Sequence, residues 1–303
     1  MGRIVFLGPL AALAVIIASL SVPQVAFAVQ GLGISPTSQE LNLKPGQTYS
    51  GILTIINDGG EDLTYTLGAN EYRIKDAEYH PDFTISGDPA SISPLSWFRL
   101  PQGNTVVRAH QEAEVGYKVI VPTNATLGGH YGVIFAQTIP PSVSGGTVIS
   151  RIVRVGSIFY MSVGGDLYEQ GSTVAPVLNW LQMEPPFPTS LKVKNSGTVH
   201  FAVNGSVQAK SLFGTASTPA YFKGEVLPQT TRPFSVEIPA RQPLGIYKVT
   251  YKLNYLGKDQ IPIVRWVLLV PKLTVFIIVT TMILIIGYFL LKLVNYLFHR
   301  NKA

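Results

Sequence analysis

The sequence predicts an all-β protein, with two β-sandwiches in tandem between an N-terminal signal peptide and one C-terminal transmembrane helix. Three observations carry this. Apolar runs of targeting length stand near both chain ends, period-two alternation fills the space between them, and one turn pattern occurs twice.

The first apolar run, Ile4 to Leu20, follows a single basic residue, Arg3, and leads to Ala26-Phe27-Ala28. A positive n-region, an apolar h-region and an A-x-A site define a secretory signal peptide, residues 1–28, cut after Ala28. Retention of the signal is the alternative that its long h-region leaves open. The second run, Leu273 to Leu291, carries no charge and is flanked by Lys272 and Lys292. At ~1.5 Å per residue it spans roughly 28 Å, close to the ~30 Å hydrocarbon core of a bilayer. Residues 273–291 are the expected transmembrane helix. Residues 292–303, with Lys292, His299, Arg300 and Lys302, are the expected basic cytoplasmic tail. Trp266 stands a few residues before the span, where an indole suits the membrane interface. These ends predict a single-pass protein of the cell membrane whose N-terminal part is extracellular.

The formal charge of +6 comes from the ends. Arg3, Lys272, Lys292, Arg300 and Lys302 lie in targeting or anchoring segments, and the exported part is almost balanced. It has no electrostatic footprint for nucleic acid. The chain has no cysteine, which excludes a thiol nucleophile and suits a bacterial envelope protein with cores large enough to do without disulfides.

Within the exported part, apolar residues alternate with polar ones as in half-buried strands. Leu63, Tyr65 and Leu67 form one such face; Val115, Tyr117, Val119 and Val121 another; Leu191 with Val193, and Phe234, Val236 with Ile238, two more. The longest is Tyr247, Val249, Tyr251, Leu253 and Tyr255. Turn formers stand between them: Lys44-Pro45-Gly46, Asn57-Asp58-Gly59-Gly60, Asn195-Ser196-Gly197 and Asn204-Gly205. Val121-Pro122 followed by Leu127-Gly128 and Tyr131 is echoed by Ile238-Pro239, Leu244-Gly245 and Tyr247. In each half a strand also runs into an Asn-x-Gly turn, at Asn57 and at Asn195. Two Ig-like sandwiches explain both echoes, residues 29–170 and 171–270, the first enlarged by an insertion at 70–102.

Leu41-Asn42-Leu43-Lys44-Pro45-Gly46-Gln47, the strand into Asn57, and Val121-Pro122 with Leu127-Gly128-Gly129 and Tyr131 to Phe135 resemble the first domain of WxL-interacting cell-surface proteins. The second half, from Asn195 to Tyr247, is similar to related envelope proteins only in outline. The resemblance implies a peptidoglycan-binding first domain, a second domain for another surface ligand, and a C-terminal helical anchor.

No catalytic constellation stands out. G-x-S-x-G, S-x-x-K, H-E-x-x-H and P-loop patterns are all missing from the sequence. His80, His110, His130 and His200 stand far apart and form no paired-ligand motif. The Asp58 to Asp62 cluster lacks calcium-loop spacing and reads as a turn. No metal and no cofactor is expected. The insertion is the most function-like stretch, with Tyr72, Asp76, Tyr79, Asp82 and Phe83 as candidate ligand-binding residues. Rings can face sugars while carboxylates accept hydroxyl hydrogen bonds. Trp97-Phe98 and Trp180 are expected in the cores. The leading expectation is a non-enzymatic adhesion or binding protein of the bacterial envelope, contacting cell-wall polymer (peptidoglycan) or another envelope protein. The alternative is a tethered, chaperone-like assembly factor that works by strand donation. A hydrolase is the third class.

Overall fold

The computed structural model describes residues 31–85, 87–140, 152–165, 167–240 and 244–300. The expected signal peptide, with Ala26 and Ala28, lies outside them. The first domain comprises β1 (Leu32–Ser35), β2 (Ser38–Leu43), β3 (Thr48–Asn57), β4 (Leu63–Glu71), β5 (Arg73–Ile74) and β6 (Pro81–Asp82). A 3-10 turn (Pro94–Trp97) then precedes β7 (Phe98–Arg99), β8 (Thr105–Val107), β9 (Gln111–Ile120), β10 (Gly128–Thr138) and β11 (Arg154–Val163). The second domain opens with β12 (Gly171–Val177), β13 (Leu181–Gln182), β14 (Phe187–Asn195) and β15 (Phe201–Ser211). It continues with β16 (Ala220–Val226), β17 (Thr231–Ile238), β18 (Gly245–Tyr255), β19 (Lys258–Asp259) and β20 (Ile263–Leu269).

Each domain is a sandwich of two sheets. The first packs β1-β3-β9-β7 against β2-β11-β10-β4-β8; the second packs β12-β14-β17 against β13-β20-β18-β15-β16, with β19 on β18. In both, the opening strand changes sheets part-way. β1 pairs with β3, and β2 then runs parallel to β11. Likewise β12 pairs with β14, and β13 runs parallel to β20. The described residues are therefore all-β outside the last helix, in two Ig-like sandwiches.

The alternating residues fill the cores. Tyr247, Val249, Tyr251, Leu253 and Tyr255 are all buried in the second, and Val115, Tyr117, Val119 and Val121 in the first. Trp97 is fully buried, its indole donating to Ala90 O at 2.6 Å, and Phe98 packs beside it in the same core. Trp180 departs from expectation. It is 68% exposed, in the connection between β12 and β13, where only its backbone carbonyl is engaged by Leu268 N.

Two local devices recur. Asn57 is buried, donates to Glu61 O and Val107 O, and accepts from Gly59 N. Asn195 does the same with Val199 O, Val226 O and Gly197 N. Each side chain closes its own turn and ties it to the edge strand of the opposite sheet. The Leu-Gly turns also match, because Gly128 (φ 123°) and Gly245 (φ 150°) both adopt backbone that a side chain disfavours.

The helix α1 (Lys272–Arg300) is separated from the end of β20 by two residues. Its segment Lys272–Leu293 is, among the described residues, the one helix long and apolar enough to cross a membrane. Helical structure runs on past Lys292 to Arg300.

Candidate functional site

The insertion is a folded strut between the domains. After Asn70 and Glu71 complete β4, β5 and β6 form a short hairpin closed by Asp76 to His80. Asp76 Oδ1 accepts from His80 N, and Tyr79 N donates to Asp76 O. This turn holds Tyr79 at φ 70°, an unusual conformation for an aromatic residue, and aims it at the second domain. There its hydroxyl accepts from Leu227 N at 2.7 Å and donates to Glu225 O at 3.2 Å. The Arg232 guanidinium lies 4.8 Å from the ring centroid of Tyr79 and donates to the same Glu225 carbonyl.

Tyr72 is buried in a small cluster with Tyr160 and Leu227, edge-on to Tyr160 and stacked on Phe83. Tyr131 adds a second tie, its hydroxyl accepting from His200 N at 3.0 Å, and Gly129 N donates to Thr198 O. Of the five sequence-predicted ligand residues, the structure thus turns Tyr72 and Tyr79 toward the second domain. Asp76 and Asp82 stay on the solvent side of the hairpin, while Phe83, just after it, is part-exposed and stacked on Tyr72. Hydrogen bonds from the backbone N–H of His80 and of Thr84 hold the Asp76 and Asp82 carboxyls below the usual range.

The junction encloses two titratable groups with shifted protonation. Burial, reinforced by the negative charge of Glu40, pushes Glu225 up to about 7 against the opposing pull of Arg232. Burial lowers His200 to about 4. Ligand atoms of Glu40, His200 and Glu225 lie within 4.8 Å of one another, as do those of Asp76, Glu78 and His80 at the hairpin tip. These are the two groups, among the described residues, that could hold a metal ion. Sequence spacing did not bring His200 and Glu225 together, because their proximity depends on how β15 and β16 pair.

Sequence reasoning also missed the edge of β11. Pro36 and Thr37 carry the chain from β1 in one sheet to β2 in the other, and β2 first meets β11 at Ile158. Ile158 N donates to Thr37 O at 3.0 Å. Backbone groups alternate sides along a strand. Arg154 and Gly156 therefore present their N–H and C=O groups on the side of Ile158, beyond the reach of β2. Among the described residues no strand pairs with them there. Beside this edge, Phe83, Val133, Phe135, Val155 and Ile158 line a cavity of ≈ 180 Å³ on the outer face of the sheet. Arg154 lies over the Phe135 ring, 3.3 Å from its centroid.

The corresponding edge in the second domain is finished differently. β13 reaches β20 only at Leu268 and Leu269, so Val264 and Trp266 are the open positions. Arg265 Nη1 donates back to the Val264 carbonyl at 3.2 Å, which occupies one of the groups a new strand would need.

No family model and no curated protein matches this chain. Among solved structures it is similar to the class 5 fimbriae chaperone CfaA, at 11% identity and TM-score 0.41, covering 78% of this chain and 99% of that one. The CsuC-CsuE chaperone-tip adhesion subunit complex of Acinetobacter baumannii gives 12% identity and TM-score 0.39, covering 78% and 98%. The Salmonella enterica SafA pilin in complex with the SafB chaperone gives 12% and 0.38, covering 79% and 98%. None of these three is a WxL-interacting protein. At such identities and TM-scores the likeness assigns no ligand, partner or activity to this chain.

Proposed function

We propose that this chain is an exported, membrane-tethered, non-enzymatic assembly factor that binds an extended segment of another envelope protein along the edge of β11. One observation carries the reading. Among the described residues no strand takes the four backbone groups of Arg154 and Gly156, on a strand whose outer face borders an apolar cavity. A strand added to such an edge gains main-chain hydrogen bonds, and the cavity selects its alternate side chains. The interdomain ties through Tyr79 and Tyr131 keep the second domain from swinging across the cavity. The apolar helix then holds the binding domain near the membrane, with the signal peptide accounting for export.

Replacing Arg154 by Pro tests this. Proline lacks the outward N–H and is tolerated on strand edges, so the ladder to β10 survives. Full-length Arg154→Pro is expected to keep its β circular dichroism yet no longer co-purify the client protein from envelope membranes. Unchanged co-purification contradicts strand addition. A second reading, in which the hairpin binds wall polymer, is favoured by the solvent-side carboxylates of Asp76, Glu78 and Asp82. It predicts instead that an Asp76→Asn, Asp82→Asn variant loses retention on purified cell wall while still binding client.

A further inference from the structure

A group of exposed apolar side chains gathers at one end of the second domain, the end from which α1 departs. Trp180, Leu212, Phe213, Ile246 and Trp266 are all exposed, Phe213 at 91%. The register places them together. Gly245 pairs with Leu269 and Ile246 with Leu268 in the last rungs before the helix. Leu212 N donates to Ile246 O, and Leu268 N donates to Trp180 O, so both neighbours lie level with those rungs. Phe213 follows Leu212 and extends past them. Trp266 lies two rungs back, in a row across the outer face with Lys248 and Lys210.

The chain between β20 and α1 fixes where this end must sit. Only Val270 and Pro271 separate Leu269 from Lys272. The three residue steps from Leu269 to Lys272 reach at most ~11 Å. Lys272 is further held to Glu184, in the turn before β14, by an ion pair at 2.8 Å. If the helix spans a bilayer, the last rungs of the sheet lie within roughly 11 Å of the headgroups. Aromatic residues and lysines are the side chains that such a layer favours.

We infer that the base of the second domain is itself a lipid-binding surface. Phe213, Leu212 and Trp180 enter the headgroup region, and Lys210 and Lys248 face anionic phospholipid headgroups. The inference rests on the reading of α1 as the membrane anchor. Its consequence is orientation: the second domain stands on the membrane, not swinging on a tether, and holds the first domain at a fixed height.

The chain has no cysteine, so single cysteines carry labels cleanly. Phe213→Cys, Ile261→Cys and Ile283→Cys are each made in the full chain, spin-labelled and placed in nanodiscs containing phosphatidylglycerol. Ile261 is 89% exposed and lies in the loop after β19, at the opposite end of the same sheet. Accessibility to oxygen, which concentrates in lipid, is compared with accessibility to a water-soluble nickel complex. The expected ratio at 213 is several-fold above that at 261, and it drops when Lys210→Glu and Lys248→Glu are added. A lipid-like ratio at 283 with equal ratios at 213 and 261 overturns the inference while leaving the anchor intact. A water-like ratio at 283 overturns the anchor, and the inference falls with it.

Discussion

In the first domain Asn57, and in the second Asn195, occupy one structural position and make one set of bonds. Gly128 and Gly245 likewise turn the chain into the same strand. Above that shared frame the domains part at their last strands. β11 is covered by β2 from Ile158 onward and leaves Arg154 and Gly156 open beside an apolar cavity, with Arg154 laid on the Phe135 ring. β20 is covered only at its end, but Arg265 caps its own strand and the strand leads straight into α1. The difference teaches that the frame supplies stability in both halves, while the proposed strand addition depends on how each final edge is finished.

The comparison breaks first if the two cores are not separate. Tyr251 is fully buried, with its hydroxyl 2.6 Å from Thr189 Oγ1. Tyr251→Ala is expected to cost the second domain ~3–5 kcal/mol, on the scale of deleting a buried aromatic. With Trp180 and Trp266 replaced by Phe, the remaining Trp97 fluorescence reports the first domain and should keep its denaturation midpoint. The shared frame is tested next by Asn57→Ala and Asn195→Ala. Each removes three buried hydrogen bonds and is expected to cost about 2–3 kcal/mol in its own domain. A clamp that costs less than ~1 kcal/mol in one domain ends the equivalence.

Smaller effects sharpen the link between the halves. Tyr79→Phe leaves Leu227 N without its acceptor and should weaken the junction by ~1–2 kcal/mol. Faster hydrogen exchange at Leu227 N–H is the readout. For pH, Glu225 is raised from 4.5 to about 7, so its native form keeps a proton that the unfolded chain loses. Its contribution to stability therefore falls as pH rises across that window. His200, lowered from 6.5 to about 4, acts in the opposite sense, contributing stability that is lost as pH falls from 6.5 toward 4. Glu225→Gln is expected to raise the melting temperature at about pH 8 and to leave it unchanged at about pH 3.5, because Glu225 is then protonated in both the native and the unfolded chain. Equal melting curves at both pH values would mean that the Glu225 carboxyl is solvated.

Much of the frame was legible because its signals are local. The Tyr247 to Tyr255 alternation, the two Asn-x-Gly turns and the repeated Leu-Gly pair each lie within a dozen residues, and each sits in the structure as a strand or turn. The run from Ile158 to Val163 gave no alternation, since one face packs in the sandwich core and the other bears Ile158 and Tyr160 against the interdomain cluster. Trp180 was expected in a core and is exposed, because a single aromatic residue between strands carries no period that fixes its side. Tyr72 and Tyr79 looked like ligand contacts because their partners, Leu227 and Glu225, lie about 150 residues further along the chain. The open edge was invisible for a related reason. It depends on where Pro36 and Thr37 change sheets, and so on a pairing between the two ends of the domain.

Backbone hydrogen exchange of the full chain, with and without bound client, tests the central claim most directly. Strand addition predicts that the N–H groups of Arg154 and Gly156 become strongly protected on binding. Val155 and Ser157, already in the ladder to β10, should not change, nor should Val264 in the second domain. Client binding that leaves Arg154 and Gly156 exchanging as before, or that protects Val264 instead, contradicts the account.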